Sequence, residues 1–485
     1  MAQSSQYAAM SNGVPFGVIA RGEIGDLSKA SKNELVRASR VAIGLAADMP
    51  VVMSGHQAEL WHPGILAKRF AATALAELRG AQAGWVVVDT DTNEGGVVAY
   101  PSRDVNGNPA KETWDWMGGA GDGTNIPLCC VPSSGVAALP DEKSAWNAGV
   151  FAHLKRVRDT ILSVQEKSRT AAEQLTHATQ MLLRDVEPGA SVTVTMASGL
   201  CRTPIFERLC NAMIADPAGC VGAYNAAAAK VSGSGIRTLA ASGGSFELPV
   251  WQIEGKRRRA VRVKGRDDGL QININSLAPR ALMLTAVMRL ALCDVFIHGL
   301  GGEVYDRVME GWLSAWLPTV SDPELRSLTL APSIAVSATM RMKFEGVHVP
   351  TPEEIARRAW ALHHARHNPG WTGSASPMAE AQNAERGGWV KRKREVLATL
   401  NAAKERGEEP LPHYRALHKL IEESRREFAP MLEELQKEAD NAAAMKRLAD
   451  VVHDRTWSFA LYDAGELAKL RDEVSRRIRE VYSLR

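Results

Sequence analysis

Pro50-Val51-Val52-Met53-Ser54 and Gly84-Trp85-Val86-Val87-Val88-Asp89 are two short apolar runs. Between them Gly55 to Gly64 reads as a loop, and Ile65 to Leu78 carries apolar residues at helical spacing. A continuous apolar strand, a helix and a second such strand form the pattern of a parallel sheet covered on both faces. The pattern recurs downstream. Lys32 to Leu45 reads as a helix before it, Ser191 to Met196 as a strand, and Thr203 to Ala215 and Val221 to Val231 as helices. Phe246 to Ile253 and Arg259 to Val263 read as antiparallel strands. The apolar helix Pro279 to Leu292 runs into the buried strand Asp294 to His298, and Val304 to Leu317 is helical again. This alternation predicts an α/β class with a Rossmann-like, mostly parallel sheet over residues 1–345, with inserted helical and β segments.

From about residue 350 the chain reads as almost wholly helical. Thr351-Pro352-Glu353-Glu354 combines a cap residue, a first-turn proline and a Glu three residues after the cap. Tyr414, Leu417, Ile421, Ser424, Phe428, Met431, Leu435, Glu438, Ala442, Met445, Ala449 and Val452 then recur at alternate spacings of three and four. Such heptads predict a coiled coil, with Pro430 kinking or splitting it and Ala379 to Ala403 as an antiparallel partner helix. Residues 346–485 are therefore expected to form a helical coiled-coil region that supports a homodimer.

The chain has 485 residues and a net charge of +3, with 45% hydrophobic and 23% charged residues. That composition excludes a largely disordered, collagen-like or disulfide-stapled chain. The near-zero net charge argues against bulk electrostatic capture of nucleic acid. No two of the six cysteines have the CxxC spacing, and no basic leader with an apolar run opens the chain. A reducing cytoplasmic location is expected. The most apolar long window, Ala281 to Gly301, contains Arg289 and Asp294, so it reads as buried core and no membrane span is expected.

Three strand-end loops carry the candidate chemistry. The first is Ser54-Gly55-His56-Gln57 with Trp61-His62-Pro63-Gly64, between a strand and a helix N-terminus. Open α/β sheets bind ligands outside the carboxyl ends of their strands, and a helix N-terminus offers free N–H groups to an anion. In the plainer reading His62 caps a helix and the glycines only make a turn. The second is Val88-Asp89-Thr90-Asp91, whose acids could meet a cation, a hydroxyl or an ammonium, or simply form a polar turn. The third is His298-Gly299-Leu300-Gly301-Gly302-Glu303-Val304-Tyr305-Asp306, a glycine turn that permits close backbone approach or serves only as a tight connection. All three are expected along one edge of the sheet, around one pocket for a small molecule.

Dinucleotide GxGxxG, nucleoside-triphosphate P-loop and GxSxG patterns are not found, and His62-Pro63-Gly64-Ile65 only faintly resembles a class I synthetase signature. His363 and His367 have metal-pair spacing without a carboxylate partner, so they read as favourable charges at a helix end. Lys256-Arg257-Arg258-Arg259 and Lys391-Arg392-Lys393-Arg394 read as solvated charge runs.

The succession of motifs resembles the cysteine-adding enzymes of bacillithiol biosynthesis. It runs from Ser54-Gly55-His56-Gln57 and a helix with Lys68, through Asp89-Thr90-Asp91, to Glu247-Leu248-Pro249-Val250-Trp251. It ends with Pro279 to His298, the glycine turn before Val304-Tyr305, and the C-terminal heptads. The resemblance covers residues 50–460. It departs from that family at His56, where a Gln is usual, and in the Asp-Thr-Asp and Gly-Leu-Gly-Gly segments, which lack a His and a Pro. It implies a Rossmann-like core, a dimerising coiled coil and amide formation between cysteine and an amino-sugar acceptor. Catalytic roles are thereby implied for His56, Asp89, Asp91 and His298. Binding of substrate or nucleotide is implied for Gly55, Gln57, His62, Gly64, Lys68, Gly299, Gly301, Gly302, Glu303 and Tyr305. The expected cofactor is ATP or ADP, and no metal is assigned. Two other readings stand beside the carbon–nitrogen ligase: a nucleotidyltransferase using the same pocket, and a non-catalytic coiled-coil assembly module.

Overall fold

A computed structural model describes residues 16–25, 27, 32–92, 95–119, 126–264, 272–368 and 383–483. In chain order its first half runs β1 (Phe16–Arg21), α1 (Glu34–Val41), β2 (Val51–Gln57), α2 (Pro63–Arg79), β3 (Gln82–Val88), β4 (Val97–Arg103), β5 (Pro109–Asp115), α3 (Ala148–Ser163), α4 (Ala171–Leu183), β6 (Val192–Met196), α5 (Pro204–Ala215) and α6 (Pro217–Lys230). There follow β7 (Ala241–Ser242), β8 (Ser245–Glu254), β9 (Arg257–Val263), β10 (Leu277–Pro279), α7 (Ala281–Val287), β11 (Val295–His298), α8 (Gly302–Trp316), α9 (Pro323–Ser327) and β12 (Ser333–Met340). The remaining helices are α10 (Pro352–His367), α11 (Asn383–Glu405), α12 (Leu411–Glu427), α13 (Ala429–Val452) and α14 (Ala464–Tyr482).

Two compact units result. The first contains the described residues through Asp104, then Lys111–Met342 and the described residues from Asp454; the second contains Val105–Ala110 and Lys343–His453. The sequence division at 345/346 thus differs at the C-terminus. Leu467, Leu470, Val474, Ile478 and Tyr482 form one buried stripe on α14. That stripe packs on α2 and β1, which returns the last helix to the sheet-containing unit.

The main sheet has the order β1-β12-β11-β2-β3-β6, parallel throughout except for β1. The chain winds from β2 outward through β3 to β6, then returns to the opposite side of β2 with β11 and β12. The reversal therefore falls between β2 and β11, the crevice where such sheets receive ligands. Val51, Val52 and Met53 of β2 and Val295 and Ile297 of β11 are wholly buried, as continuous apolar strands require. Helix α2 starts with Pro63 in its first turn and stops at left-handed Gly80 (φ 60°), the two boundary signals expected of those residues.

One sequence expectation changes at this level. Helix Pro279–Leu292 is α-helical only over α7; Met288–Leu292 widens into a π turn. Arg289 in that turn is buried and bonds to Asp306, to Glu310 (2.7 Å) and to the Ala331 carbonyl (2.7 Å). Asp294, the other charge in the apolar window, accepts from Arg40 Nη2 at 2.9 Å. Among the described residues, no helix is long and apolar enough to cross a membrane.

A second, antiparallel sheet orders β10-β8-β7, with β9 paired to β8. Gly255 (φ 54°) and Lys256 (φ 64°) make the two-residue β8–β9 turn, whose left-handed pair suits the twist of a tight hairpin.

In the second unit the heptad run is divided. It splits at Phe428, where α12 ends and α13, carrying Pro430, begins. Helix α13 lies against α10, and α12 lies against α11 around Trp389, Leu420 and Phe428. Residues 379–382 of the expected partner helix lie outside the described residues. Thr351 and Glu354 form the reciprocal capping box of α10. Thr351→Ala is expected to cost about 1 kcal/mol of that unit's stability, read as a lower midpoint in urea unfolding.

Candidate active site

A cavity of about 740 Å³ opens at the carboxyl ends of β2, β3 and β11, at the reversal of strand order. The strand-end loops meet there because parallel pairing puts the ends of neighbouring strands level. His56 pairs with Val87, and Gln57 with Val88. Strand β2 runs through Gln57, so Gly55, His56 and Gln57 belong to the strand and not to the expected loop. Gly55 lies too close to β3 for any side chain: an added Cβ would stand 2.3 Å from the Val86 carbonyl oxygen.

His56 Nδ1 lies 3.1 Å from Glu59 Oε1. Burial, aided by the Lys68 charge, nevertheless holds its pKa below the ordinary imidazole value. His62 is the N-cap of α2, its Nδ1 accepting from the Gly64 N–H at 3.0 Å. An acceptor nitrogen is a neutral one. Burial, then the charges of His56 and Arg455, lower its pKa to about 4. The plain reading of His62 as a cap therefore holds while its ring also lines the cavity. Gly64 is needed where α2 approaches β12, since a Cβ there would be 2.9 Å from the Ala338 carbonyl oxygen.

Lys68, one turn further along α2, is buried and donates from Nζ to the Gly55 carbonyl at 2.5 Å. Its Nζ sits 5.5 Å from the Trp85 ring centroid. Burial lowers its pKa to about 7, with the Glu59 charge opposing.

The two acids after β3 part company. Asp89 is buried and accepts from the Ser198 backbone N–H (2.8 Å) and the Ser198 hydroxyl, pinning the turn after β6. Burial raises its pKa, the Ser198 bonds opposing. It does not line the cavity. Asp91 does, and it pairs with Arg258 at 2.7 Å.

At the third loop His298 is buried with Nε2 3.0 Å from Asp306 Oδ2 and its ring edge-on to Tyr305, at 5.7 Å between centroids. Gly302 leaves room for that imidazole, because a Cβ there would fall 2.6 Å from His298 Nδ1. Gly299 and Gly301 line the cavity and are not crowded. Helix α8 begins without a side-chain cap. Tyr305 faces the cavity, its phenol pushed up to about 12 by burial and then by the Asp306 charge. Glu303 turns away to pair with Arg21 of β1.

The far wall comes from residues outside the expected set. Trp251 of β8 is flanked by guanidinium carbons of Arg280 at 4.3 Å and Arg258 at 4.7 Å from its ring centroid. Arg280 is paired with Glu247. Arg237 and Arg455 also reach this cavity. Alternation along β9 does not single out Arg258: its buried valines, Val261 and Val263, share a face with Arg257 and Arg259. Arg258 is half-buried because it meets Asp91 and the Trp251 ring, so the run 256–259 is not wholly solvated. The paired histidines His363 and His367 lie together on α10, with 5.0 Å between ring centroids.

No protein-family model matches the chain, and no characterised protein matches its sequence.

Proposed function

We propose that this protein is a cytoplasmic carbon–nitrogen ligase that joins an amino acid, cysteine or one like it, to an amino-sugar-type acceptor in the strand-end cavity. The observation that carries the reading is the charge of the lining. Arg237 and Arg455 have no carboxylate partner among the described residues, whereas Asp91, the acid that lines the cavity, is taken by Arg258. Such a surface favours a substrate with several acidic oxygens. About 740 Å³ also lies within the usual range for small-molecule sites.

These residues suit a nucleotide. Arg237 and Arg455 would hold its phosphates, near the start of α8 at Gly301 and Gly302, which has no side-chain cap. A nucleoside triphosphate would supply the activation of the carboxyl group. His56 and Gln57 at the end of β2 would orient the amino acid, and the cationic lining would stabilise charge developing on the leaving oxygens. His298, held by Asp306, would position Tyr305 and the glycine turn.

The nucleotidyltransferase reading uses the same lining and differs in its product, a stable nucleotidyl conjugate. We further propose a homodimer through a coiled coil of the helical unit. Trp360, Leu411, Tyr414 and Met445 are large apolar side chains exposed on α10, α12 and α13, of the kind that helix pairing covers. A monomer by light scattering at micromolar concentration would end the dimer reading.

A thermal-shift panel tests the ligase. ATP with cysteine, or the amino-sugar acceptor, is expected to raise the melting temperature by a degree or more at saturating concentration. The shift should vanish in His56→Ala. A shift with nucleotide alone, and no amino acid effect, favours the nucleotidyltransferase; no shift with any ligand favours an assembly module.

A further inference from the structure

Lys68 combines features that binding alone does not require. It is buried on α2, reaches the cavity, and directs one N–H to the Gly55 carbonyl at 2.5 Å. Among the described residues it makes no ion pair. The titratable groups that act on it are His56 at the end of β2, Glu59 in the turn that follows and His62 at the start of α2, while His298 at the end of β11 and Arg455 before α14 line the same cavity. Each neighbouring imidazole has one nitrogen engaged: His62 Nδ1 accepts from the Gly64 N–H, His298 Nε2 lies 3.0 Å from Asp306, and His56 Nδ1 lies 3.1 Å from Glu59.

Resting on the ligase reading, we infer that Lys68 is the proton acceptor for the attacking amine. The acceptor substrate arrives as an ammonium and passes one proton to the lone pair on Lys68 Nζ. Its freed nitrogen forms the C–N bond to the acyl carbon, which a nucleoside triphosphate has activated. The bond from that carbon to the leaving oxygen breaks, its electron pair departs with the oxygen, and the second nitrogen proton goes to solvent. The Gly55 carbonyl holds the resulting Lys68 ammonium in place. With its pKa lowered to about 7 by burial, against the opposing Glu59 charge, the amine is substantially uncharged at neutral pH.

Two measurements test the assignment. In the first, the wild-type full chain is treated briefly with sulfosuccinimidyl acetate from pH 6 to pH 10, and acetylation is mapped by peptide mass spectrometry. Lys68 is expected to label with a midpoint near pH 7, while exposed lysines rise only toward their ordinary value of about 10.4. A Lys68 midpoint above pH 9, or no labelling of Lys68, overturns the assignment. In the second, Lys68→Arg puts a permanently protonated group there, which has no lone pair to accept a proton. Amino-acid-dependent ATP–pyrophosphate exchange should stay within threefold of wild type, and amide formation should fall by about 100-fold or more. Equal loss of both steps, or amide formation within threefold, overturns it. Absence of exchange in the wild-type protein sinks the ligase reading and the amide step together. The labelling midpoint reads the Lys68 amine independently of that result.

Discussion

Replacing Asp306 by alanine is expected to cost ~3–5 kcal/mol of folding stability, the usual penalty for stripping one partner from a buried charge pair. Arg289 would remain buried in its π turn, with the Ala331 carbonyl and the partly exposed Glu310 carboxylate as its remaining acceptors. His298 would lose the carboxylate 3.0 Å from its Nε2. Asp306→Asn keeps an oxygen acceptor and should cost less, ~1–3 kcal/mol. The effect has a defined pH dependence. Burial pushes the Asp306 carboxyl up, but the hydrogen bond from His298 and the charges of His298 and Arg289 outweigh it and hold the pKa below the ordinary carboxylate range. The contribution is therefore complete above the unfolded value, about pH 4, and is lost as pH falls through the depressed folded value. Urea unfolding should show a constant gap between wild type and Asp306→Ala from pH 5 to 8, narrowing below pH 4. A gap under 1 kcal/mol at pH 7 would mean that Arg289 finds water or another acceptor without cost.

Gly55→Ala is the second large effect. The new Cβ would sit 2.3 Å from both the Val86 Cγ1 and the Val86 carbonyl oxygen, directly across the β2–β3 ladder. The Val86 side chain can rotate away from the new Cβ, but its backbone oxygen, tied into the sheet, cannot. The strands must separate at the carboxyl end, costing ~1–3 kcal/mol or more. Adding Val86→Ala removes one of the two contacts and should recover only part of the loss. Full recovery in the double variant would show that the side chain alone was limiting. The same shift displaces the Gly55 carbonyl that holds Lys68. Gly55→Ala should thus move the pH midpoint of Lys68 acetylation as well as the unfolding midpoint.

Much of the site was legible because strand-end position follows from pattern alone. Val51 to Ser54 and Val86 to Val88 could only be buried strands, so the residues after them had to meet at one edge of the sheet. The role of each residue was less legible. Asp89 and Asp91 are two positions apart in the same turn, yet one turns inward to Ser198 and the other into the cavity against Arg258. Glu303 begins the helix as expected but swings to Arg21, whose strand is distant in sequence and adjacent in space. Trp251, Arg258 and Arg280 come from the antiparallel sheet. Nothing local tells which face of a hairpin will be laid over a particular strand end.

The helical region divides in the same way. The capping box at Thr351 and the break near Pro430 are local events, governed by the missing proline N–H and by side chains bonding neighbouring backbone. Where α14 docks was decided by area. Its stripe from Leu467 to Tyr482 buries against α2 and β1, a choice that depends on which apolar face the rest of the chain leaves open. Hydrophobic periodicity, turn residues and caps act over a few residues, so by themselves they determined the elements of this protein and the edge of the sheet on which its pocket lies. The pairing of Asp91 with Arg258 and of Glu303 with Arg21, and the choice of cavity wall, depend on contacts between segments 167 and 282 residues apart in those two pairs, and only the tertiary structure decided them.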